Sequence, residues 1–450
     1  MVNELSKFSK EQLIEIILKL DRKISELEKT SQTSSNPPSS DRYKKNQSLR
    51  EKSNKPSGGQ KGHKGKTLTK SKSPDQTIQY QPEICIKCGE SLLEIPNQIA
   101  KTIEEIDLPE KLITRTEHQQ LKCKCPKCGT INKGKLPSNL KSHTQYGPKL
   151  KSLIISLSNL ANTSYKNISN LTKSIFNLNI SEGTIDNTIE KVSQTSSEYL
   201  PSILETIKST EYCGGDESSI RNNGEKHWEW IWQNELASYY VTNPSRSYKV
   251  IQETFGEDYQ GTYLSDCYGA QLKSKSYNKQ ICHFHLLRDL NYCIQYEKDL
   301  LSYQMKIFLI KSWKARKHIW SKNLHDKYSK VIRENLIQQF NNLLYKQEAQ
   351  GITSRRIQKR LQKHSDKVLT FINSPTLPYH NNSSEQTIRK IKVKQKVSGC
   401  FRSTNGINRY NAISSVMETC RKQGINLWES INSLVKKEQV QFKYLVKPTE

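Results

Sequence analysis

EYCGGDES (Glu211–Ser218), HWEWIWQN (His227–Asn234), ASYYVTN (Ala237–Asn243) and GTYLSDC (Gly261–Cys267) follow one another through the middle of the chain. Each stretch is short, and the last three are rich in aromatic or β-branched residues, which is the pattern of strands separated by turns. The first three read as an antiparallel meander and the last as a further strand. In this reading Asp216 and Asp266 each end a strand. Neighbouring strands lie about 4.8 Å apart, so acids at adjacent strand ends can share one metal site. Acids at strand ends are also ordinary turn residues. Glu217 should point to the opposite face of its strand, with Ser218 returning to the face of Asp216. Trp228, Trp230 and Trp232 alternate onto a single face and read as core-facing rather than as a platform for stacking bases.

Downstream, residues 282–372 are helical in pattern and rich in Lys, Gln and Leu. They open with CHFH, in which Cys282 and His285 have C-x-x-H spacing; with no clear second pair nearby, a structural role at a helix start is expected. HNNSSEQTIRKIKVKQKVSGCFRS (His380–Ser403) follows. Here Glu385 heads a basic run of Arg389, Lys390, Lys392, Lys394, Lys396 and Arg402. A carboxylate would repel the phosphates such a run attracts, unless a divalent cation lies between them. Asp216, Asp266 and Glu385 are therefore candidates to hold Mg²⁺ (or Mn²⁺), which takes carboxylate, water and phosphate oxygens. Arg246 in NPSRSYKV and Arg288 in HLLRDL are candidate phosphate contacts or, equally, members of structural ion pairs. The chain closes with two apolar-periodic helices, one with Ile413, Val416 and Met417, the other with Leu427, Ile431 and Leu434.

Upstream, Cys85-x-x-Cys88-Gly and Cys125-Pro-x-Cys128-Gly have the spacing of knuckles that wrap a tetrahedral Zn²⁺. The alternative is free thiols or a redox pair. The 36 residues between the knuckles hold two β-like segments, KTIEEIDLP and KLITRTEHQQLKCKC. Cys123 and His118 are spare ligands. Residues 147–192 are helical in pattern, and Ser181 can cap a helix starting near Gly183. These helices suit either a helix-turn-helix or a plain bundle. From Thr30 to about Gln81 the chain is Ser, Pro, Gly and Lys rich and reads as a flexible cationic arm or a linker, with Lys61 and Lys64 among its charges. At the start, Ser9 and Gln12 form a capping-box pattern. Leu13, Ile17, Leu20, Ile24 and Leu27 then make a short a/d seam, either a dimerisation coil or a helix docked on its own protein.

The 450 residues suggest several domains, and the net charge of +27, gathered in blocks, points to a polyanionic partner. No apolar run of membrane-spanning length occurs, so no membrane association is expected. The N-terminus lacks an apolar leader. Eleven cysteines in a chain without a secretory signal suit metal binding in a reducing cytosol better than disulfides.

Taken together, SSNPPSSD, GGQKGHKG, the CIKCG/CPKCG pair, QYGPKL, SEGTI, GGDES, SRS, LSDCYGA, CHFHLLRDL, HNNSSEQTIR, SGCFRS and ETCRKQGI resemble the IS66-type transposases of bacterial insertion sequences nearly end to end. The resemblance implies a DDE triad of Asp216, Asp266 and Glu385 in an RNase H-like domain with a helical insertion. It also implies cutting of element ends and joining of the freed 3′-OH to target DNA. The partners it implies are double-stranded DNA (terminal repeats and target), a homodimer or higher synaptic oligomer, and accessory proteins of the same element, at the nucleoid of a bacterial cytoplasm. His380, Gln386 and Lys61 stand where such transposases usually carry Asp, Arg and Pro.

The expected architecture is multidomain α+β. It comprises a short coiled coil (1–30), a basic arm (31–82), a zinc-ribbon-like domain (83–142) and a helical region (143–205). An RNase H-like core (206–300) follows, interrupted by a helical insertion (301–375) and completed by the segment carrying Glu385 (376–450). Two other functions fit the same residues: a decayed or repurposed zinc-ribbon DNA-binding protein, and an RNase H-like nuclease that cuts without joining.

Overall fold

The computed structural model describes residues 69–447 apart from 97, 141 and 322–326, together with residues 9, 11, 12, 14, 15 and 62. The seam from Leu13 to Leu27 and Lys61 and Lys64 of the arm lie outside the described residues. The capping box is present: Gln12 N donates to Ser9 Oγ at 3.3 Å, and Ser9 N donates to Gln12 Oε1 at 2.9 Å. The chain divides into two compact units, one being Arg50–Leu140 and the other carrying Lys141–Glu450.

In the smaller unit β1 (Lys122–Lys124) pairs antiparallel with β2 (Ile131–Lys133). KTIEEIDLP forms no strand, although its alternation suggested one. Period alone does not hold a strand without a partner sheet or a packed layer behind it. None of the described residues between 69 and 140 is buried, and Ile99, Ile103, Ile106 and Leu108 are all exposed.

The larger unit begins with helices α1 (Pro148–Ile155), α2 (Tyr165–Phe176), α3 (Glu182–Ser197) and α4 (Leu200–Lys208), with a π-helical turn at Ser156–Leu160. Pro148 opens α1, where its missing N–H costs nothing. Ser164 and Ser181 cap α2 and α3, each accepting from the backbone N–H three residues on. Ile154, Ile168, Ile185, Val192 and Ile203 bury the inner faces of these helices.

A five-stranded sheet follows, built from β3 (Tyr212–Asn222), β4 (Glu225–Gln233), β5 (Ser238–Asn243), β6 (Tyr259–Ser265) and β7 (Ser276–Ile281). Its order is β5-β4-β3-β6-β7. The first three strands form the expected meander, while β6 runs parallel to β3 and β7 parallel to β6. Asn223 and Gly224, with φ of 47° and 83°, make the tight β3–β4 turn that an Asn-Gly pair favours. α5 (Tyr248–Thr254) lies between β5 and β6, and α6 (Gly269–Lys273) between β6 and β7. Trp230 and Trp232 are fully buried and stacked, with ring centroids 6.2 Å apart, so the tryptophan face is core.

One expectation is corrected. Asp216 does not end its strand; it is the fifth of eleven residues in β3 and lies opposite Ile231. The strand continues because residues through Asn222 pair with the long β4. What ends near Asp216 is the parallel ladder to β6, whose last pair is Gly214 with Leu264.

After β7 the chain leaves the sheet through α7 (His283–Tyr292), α8 (Leu300–Ser321), α9 (Lys327–Tyr345) and α10 (Ile352–Lys363). These helices share a hydrophobic core that includes Leu286, Met305, Phe308, Phe340 and Leu361. α11 (Asn382–Ser398) then returns and packs Ile388 and Ile391 on Ile220 and Ile231 of the sheet. α12 (Thr404–Lys422) and α13 (Leu427–Lys436) complete the unit. Among the described residues no helix is long and apolar enough to cross a membrane.

Candidate active site

Gly214 and Gly215 are the reason α11 comes so near β3. A Cβ on Gly214 would stand 2.5 Å from Asn381 Oδ1 and 2.7 Å from Ser384 Oγ. On the other face, a Cβ on Gly215 would stand 2.1 Å from the Tyr263 hydroxyl. With both side chains absent, Asn381 Nδ2 donates to the Gly215 carbonyl at 2.7 Å, and Ser384 Oγ donates to Asn381 Oδ1 at 2.6 Å. Gln233 Nε2 on β4 donates to Ser384 Oγ at 3.0 Å, and Asn381 N donates to Cys282 Sγ at 3.1 Å. The NNSSEQ segment is thereby fastened to GGD on one side and to CHFH on the other.

This fastening brings Glu385, in the first turn of α11, toward the two aspartates. Asp266 follows the last residue of β6, and its Oδ1 accepts from Tyr268 N at 2.8 Å, closing a local turn. Asp216 Oδ1 accepts from Glu217 N at 2.9 Å. Burial pushes the Asp216 carboxyl well above the usual carboxylate range, and the charges of Glu217, Asp266 and Glu385 push it further, while His285 opposes them. Four carboxylates thus act on one another in a region of low solvation. His285 Nε2 lies 3.5 Å from Glu385 Oε1, and Arg389 Nη2 lies 3.4 Å from Glu385 Oε2. Burial draws the His285 imidazole down, but Cys282 and Asp266 outweigh it and the ring is pushed up to about 10. Among the described residues, no three His, Cys, Asp or Glu side chains are gathered closely enough to grip a metal ion.

The expected cations separate into two groups. Arg246 forms an ion pair with Glu217, 2.6 Å from Nη2 to Oε1, and lies 3.7 Å over the Tyr268 ring. Of its two sequence readings, the structure displays the ion pair. Lys394 is buried and donates to the Ser158 and Thr163 carbonyls at 3.0 and 2.8 Å; burial lowers its ammonium to about 8. Lys392 donates to the Ser219 carbonyl, and Lys390 pairs with Glu418. These three fasten α11 to its surroundings, so the basic run is not one continuous exposed stripe. Arg389, Lys396 and Arg402 are exposed. Arg288 is partly buried, and its Nε has no hydrogen-bond partner among the described residues. Reasoning from sequence missed the docking role of Asn381 and Ser384, the closeness of His285 to Glu385 and the pairing of Glu217. The Gly-Gly before Asp216 was the available signal for the first.

In the smaller unit the two knuckles have the same backbone form. Gly89 N donates to the Cys85 carbonyl and Gly129 N to the Cys125 carbonyl, both at 2.9 Å, with φ of 78° and 73° at the glycines. The backbone N–H groups of Lys87 and Cys88 lower the Cys85 thiol, and Thr130 lowers that of Cys128. Cys123 stands opposite Asn132 on the β1–β2 hairpin, and His118 is exposed.

Residues 143–409, more than half of the chain, match the sequence model of the family described as Transposase IS66 family. The protein belongs to the IS66 transposase family. The matched span of this IS66-family chain contains Asp216, Asp266 and Glu385, whereas the four knuckle cysteines lie before it. Residues 1–69 match a family of unknown function, DUF6444. An uncharacterized Sinorhizobium fredii protein, y4jO, is 33% identical over 69 residues, or 15% of this chain. That alignment spans 22% of the length of y4jO.

Proposed function

We propose that the protein is a DDE-type DNA transposase whose catalytic acids are Asp216, Asp266 and Glu385. On this reading it cuts the ends of an insertion sequence and joins the resulting 3′-OH to target DNA. The observation that carries the proposal is the docking of Asn381 and Ser384 onto Gly214–Gly215, which turns Glu385 toward two aspartates on neighbouring strands. The strand order β5-β4-β3-β6-β7, with a helical excursion before the glutamate helix, supports an RNase H-like core.

The acids suit Mg²⁺ or Mn²⁺ chemically. They offer only oxygen donors, and their mutual repulsion with Glu217 is what a dication relieves. When bound by Asp216, Asp266 and Glu385, the ion would supply Lewis-acid stabilisation of the charge that develops at phosphorus. The chain itself holds the carboxylates: Tyr268 N orients Asp266, Glu217 N orients Asp216, and His285 and Arg389 flank Glu385. Arg389, Lys396 and Arg402 are the exposed cations we assign to the DNA backbone, with Arg288 beside the site. Cys85, Cys88, Cys125 and Cys128 would hold a structural Zn²⁺, and the lowered thiols of Cys85 and Cys128 suit that role. A synaptic dimer or higher oligomer on the element ends is part of the same proposal.

A strand-transfer assay tests it, using the full chain, labelled element-end DNA, a plasmid target and Mg²⁺ or Mn²⁺. Joined product is expected from the wild type. Asp266→Asn and Glu385→Gln should abolish cleavage and joining while leaving end binding nearly unchanged. Cutting that survives either substitution overturns the triad. Binding without cutting or joining by the wild type favours a DNA-binding protein, and cutting without joining favours a nuclease.

A further inference from the structure

Glu217 lies on the face of β3 opposite Asp216, buried and out of reach of DNA in this fold, yet it is the most heavily bonded acid near the site. Arg246 Nε and Nη2 both donate to its Oε1, at 2.9 and 2.6 Å. Gln271 Nε2 on α6 donates to its Oε2 at 2.5 Å, and the Tyr263 hydroxyl donates to Gln271 Oε1 at 2.6 Å. Arg246 in turn presses its guanidinium on Tyr268, whose hydroxyl donates to the Arg246 carbonyl at 2.9 Å. Tyr268 N is the group that holds Asp266. An unbroken chain of contacts therefore runs from the strand bearing Asp216, through Glu217 and Arg246, to the turn bearing Asp266.

We infer that Glu217 and Arg246 form a buried clamp that sets the position of Asp266 relative to Asp216, and that Arg246 is a positioning residue rather than a phosphate contact. The inference rests on the catalytic reading of these two aspartates. The sheet leaves this spacing to be fixed in some other way: the β3–β6 ladder stops at Gly214–Leu264, before either acid is reached. Beyond that point β3 pairs with β4 and is packed by α11, neither of which reaches the turn bearing Asp266, and the chain after β6 turns away into α6. The clamp spans that gap. Two guanidinium N–H groups converging on one oxygen while the plane stacks on Tyr268 need the planar fork of arginine, which lysine does not supply. A carboxylate without Arg246 would be left buried and unpaired.

The test compares Arg246→Gln, Arg246→Lys, Glu217→Gln and the Arg246→Gln/Glu217→Gln double variant in the full chain. Three quantities are read: Mn²⁺ affinity by calorimetry, cleavage rate on pre-bound end DNA, and the salt dependence of end binding. Arg246→Gln is expected to weaken Mn²⁺ binding about tenfold and cleavage about a hundredfold, with DNA affinity and its salt slope unchanged. Arg246→Lys should rescue only partly. The double variant, which removes the unpaired charge, should recover much of both losses, a non-additivity that independent contacts do not show. A phosphate contact behaves otherwise: Arg246→Gln would weaken DNA binding and lower the log–log salt slope by about one, and Glu217→Gln would repair nothing. That result, in a wild type that binds Mn²⁺ and cleaves, overturns the clamp alone. A wild type that neither binds Mn²⁺ nor cleaves removes the reading of the acids and the clamp with it.

Discussion

Gly214 and Gly215 in the larger unit are walled in by side chains, whereas Gly89 and Gly129 in the smaller unit sit in open turns with positive φ. The first pair lacks a Cβ because neighbours occupy the space; the second lacks it because the backbone bends through a conformation that L side chains disfavour. The contrast extends to whole units. Most of β3 is buried under hydrogen-bonded or apolar neighbours, while no described residue between 69 and 140 is buried. One region positions its chemistry by packing. The other has two knuckle turns of like backbone form and little burial to hold them, and on the proposed reading a metal would supply the folding energy.

The sharpest way to break the comparison is to remove zinc. Structural Zn²⁺ contributes about 10–16 kcal/mol to small domains that hold it. Treatment with a chelator, or Cys125→Ser, should therefore abolish the order of the smaller unit and release about one zinc per chain. The larger unit should keep its cooperative unfolding transition. Hydrogen exchange by mass spectrometry, with metal analysis, reads both. Unchanged protection of residues 83–130 after zinc loss, or no zinc to lose, would sink the ribbon.

The units should also respond to pH with opposite sign. Glu229 is fully buried on β4, accepts from Thr242, and is pushed up to about 8 by burial. Its folded pKa lies above the unfolded value, so the stability it contributes is complete below about 4.5 and is lost as pH rises through about 8. The larger unit should weaken over that window. Glu229→Gln, which mimics the neutral acid, should remove on the order of 1–3 kcal/mol of that loss. Knuckle thiolates must instead stay deprotonated to hold metal, so the smaller unit should weaken as pH falls. Thermal melts of wild type and Glu229→Gln between pH 6 and 9 check the first half. Parallel curves would refute the assignment to Glu229.

What could be read from the sequence divides along the same line. Local signals were legible: the Ser181 cap and the core-facing tryptophans are written within a few residues of where they sit. Asp216 was placed at a strand end, whereas pairing with the long β4, a separate segment, keeps β3 extended to Asn222. The basic run looked continuous because charge is visible in sequence, whereas the carbonyls of Ser158 and Thr163 that receive Lys394 lie more than two hundred residues away. Arg246 stayed open between a phosphate contact and a structural ion pair because its partner, Glu217, was expected merely to face away from Asp216. Long-range pairing of polar groups has no period and no local composition, so it appears only once the fold exists.

The smallest expected effects return to the glycines and test whether crowding or backbone conformation is the stronger constraint. Gly215→Ala drives a Cβ to 2.1 Å from the Tyr263 hydroxyl and 3.0 Å from Gln271 Oε1. Both neighbours are buried and hydrogen-bonded to each other, so neither yields without breaking a bond. Overpacking of this kind costs about 1–3 kcal/mol, and occasionally more. Gly129→Ala meets only Lys124 Cε at 3.4 Å, an ordinary contact on a flexible side chain, and suffers only its positive φ, at about 1 kcal/mol. Denaturant unfolding of the larger unit should therefore shift for Gly215→Ala, and cleavage should fall with it because Asp216 is the next residue. Gly129→Ala should leave that transition untouched and lower zinc affinity by less than about tenfold, since 1.4 kcal/mol is a factor of ten. If the two substitutions cost the same, the packed strand is more yielding than its contacts imply. The approach of Glu385 to the aspartates would then have to be held by the hydrogen bonds of Asn381 and Ser384 rather than by the glycines beneath them.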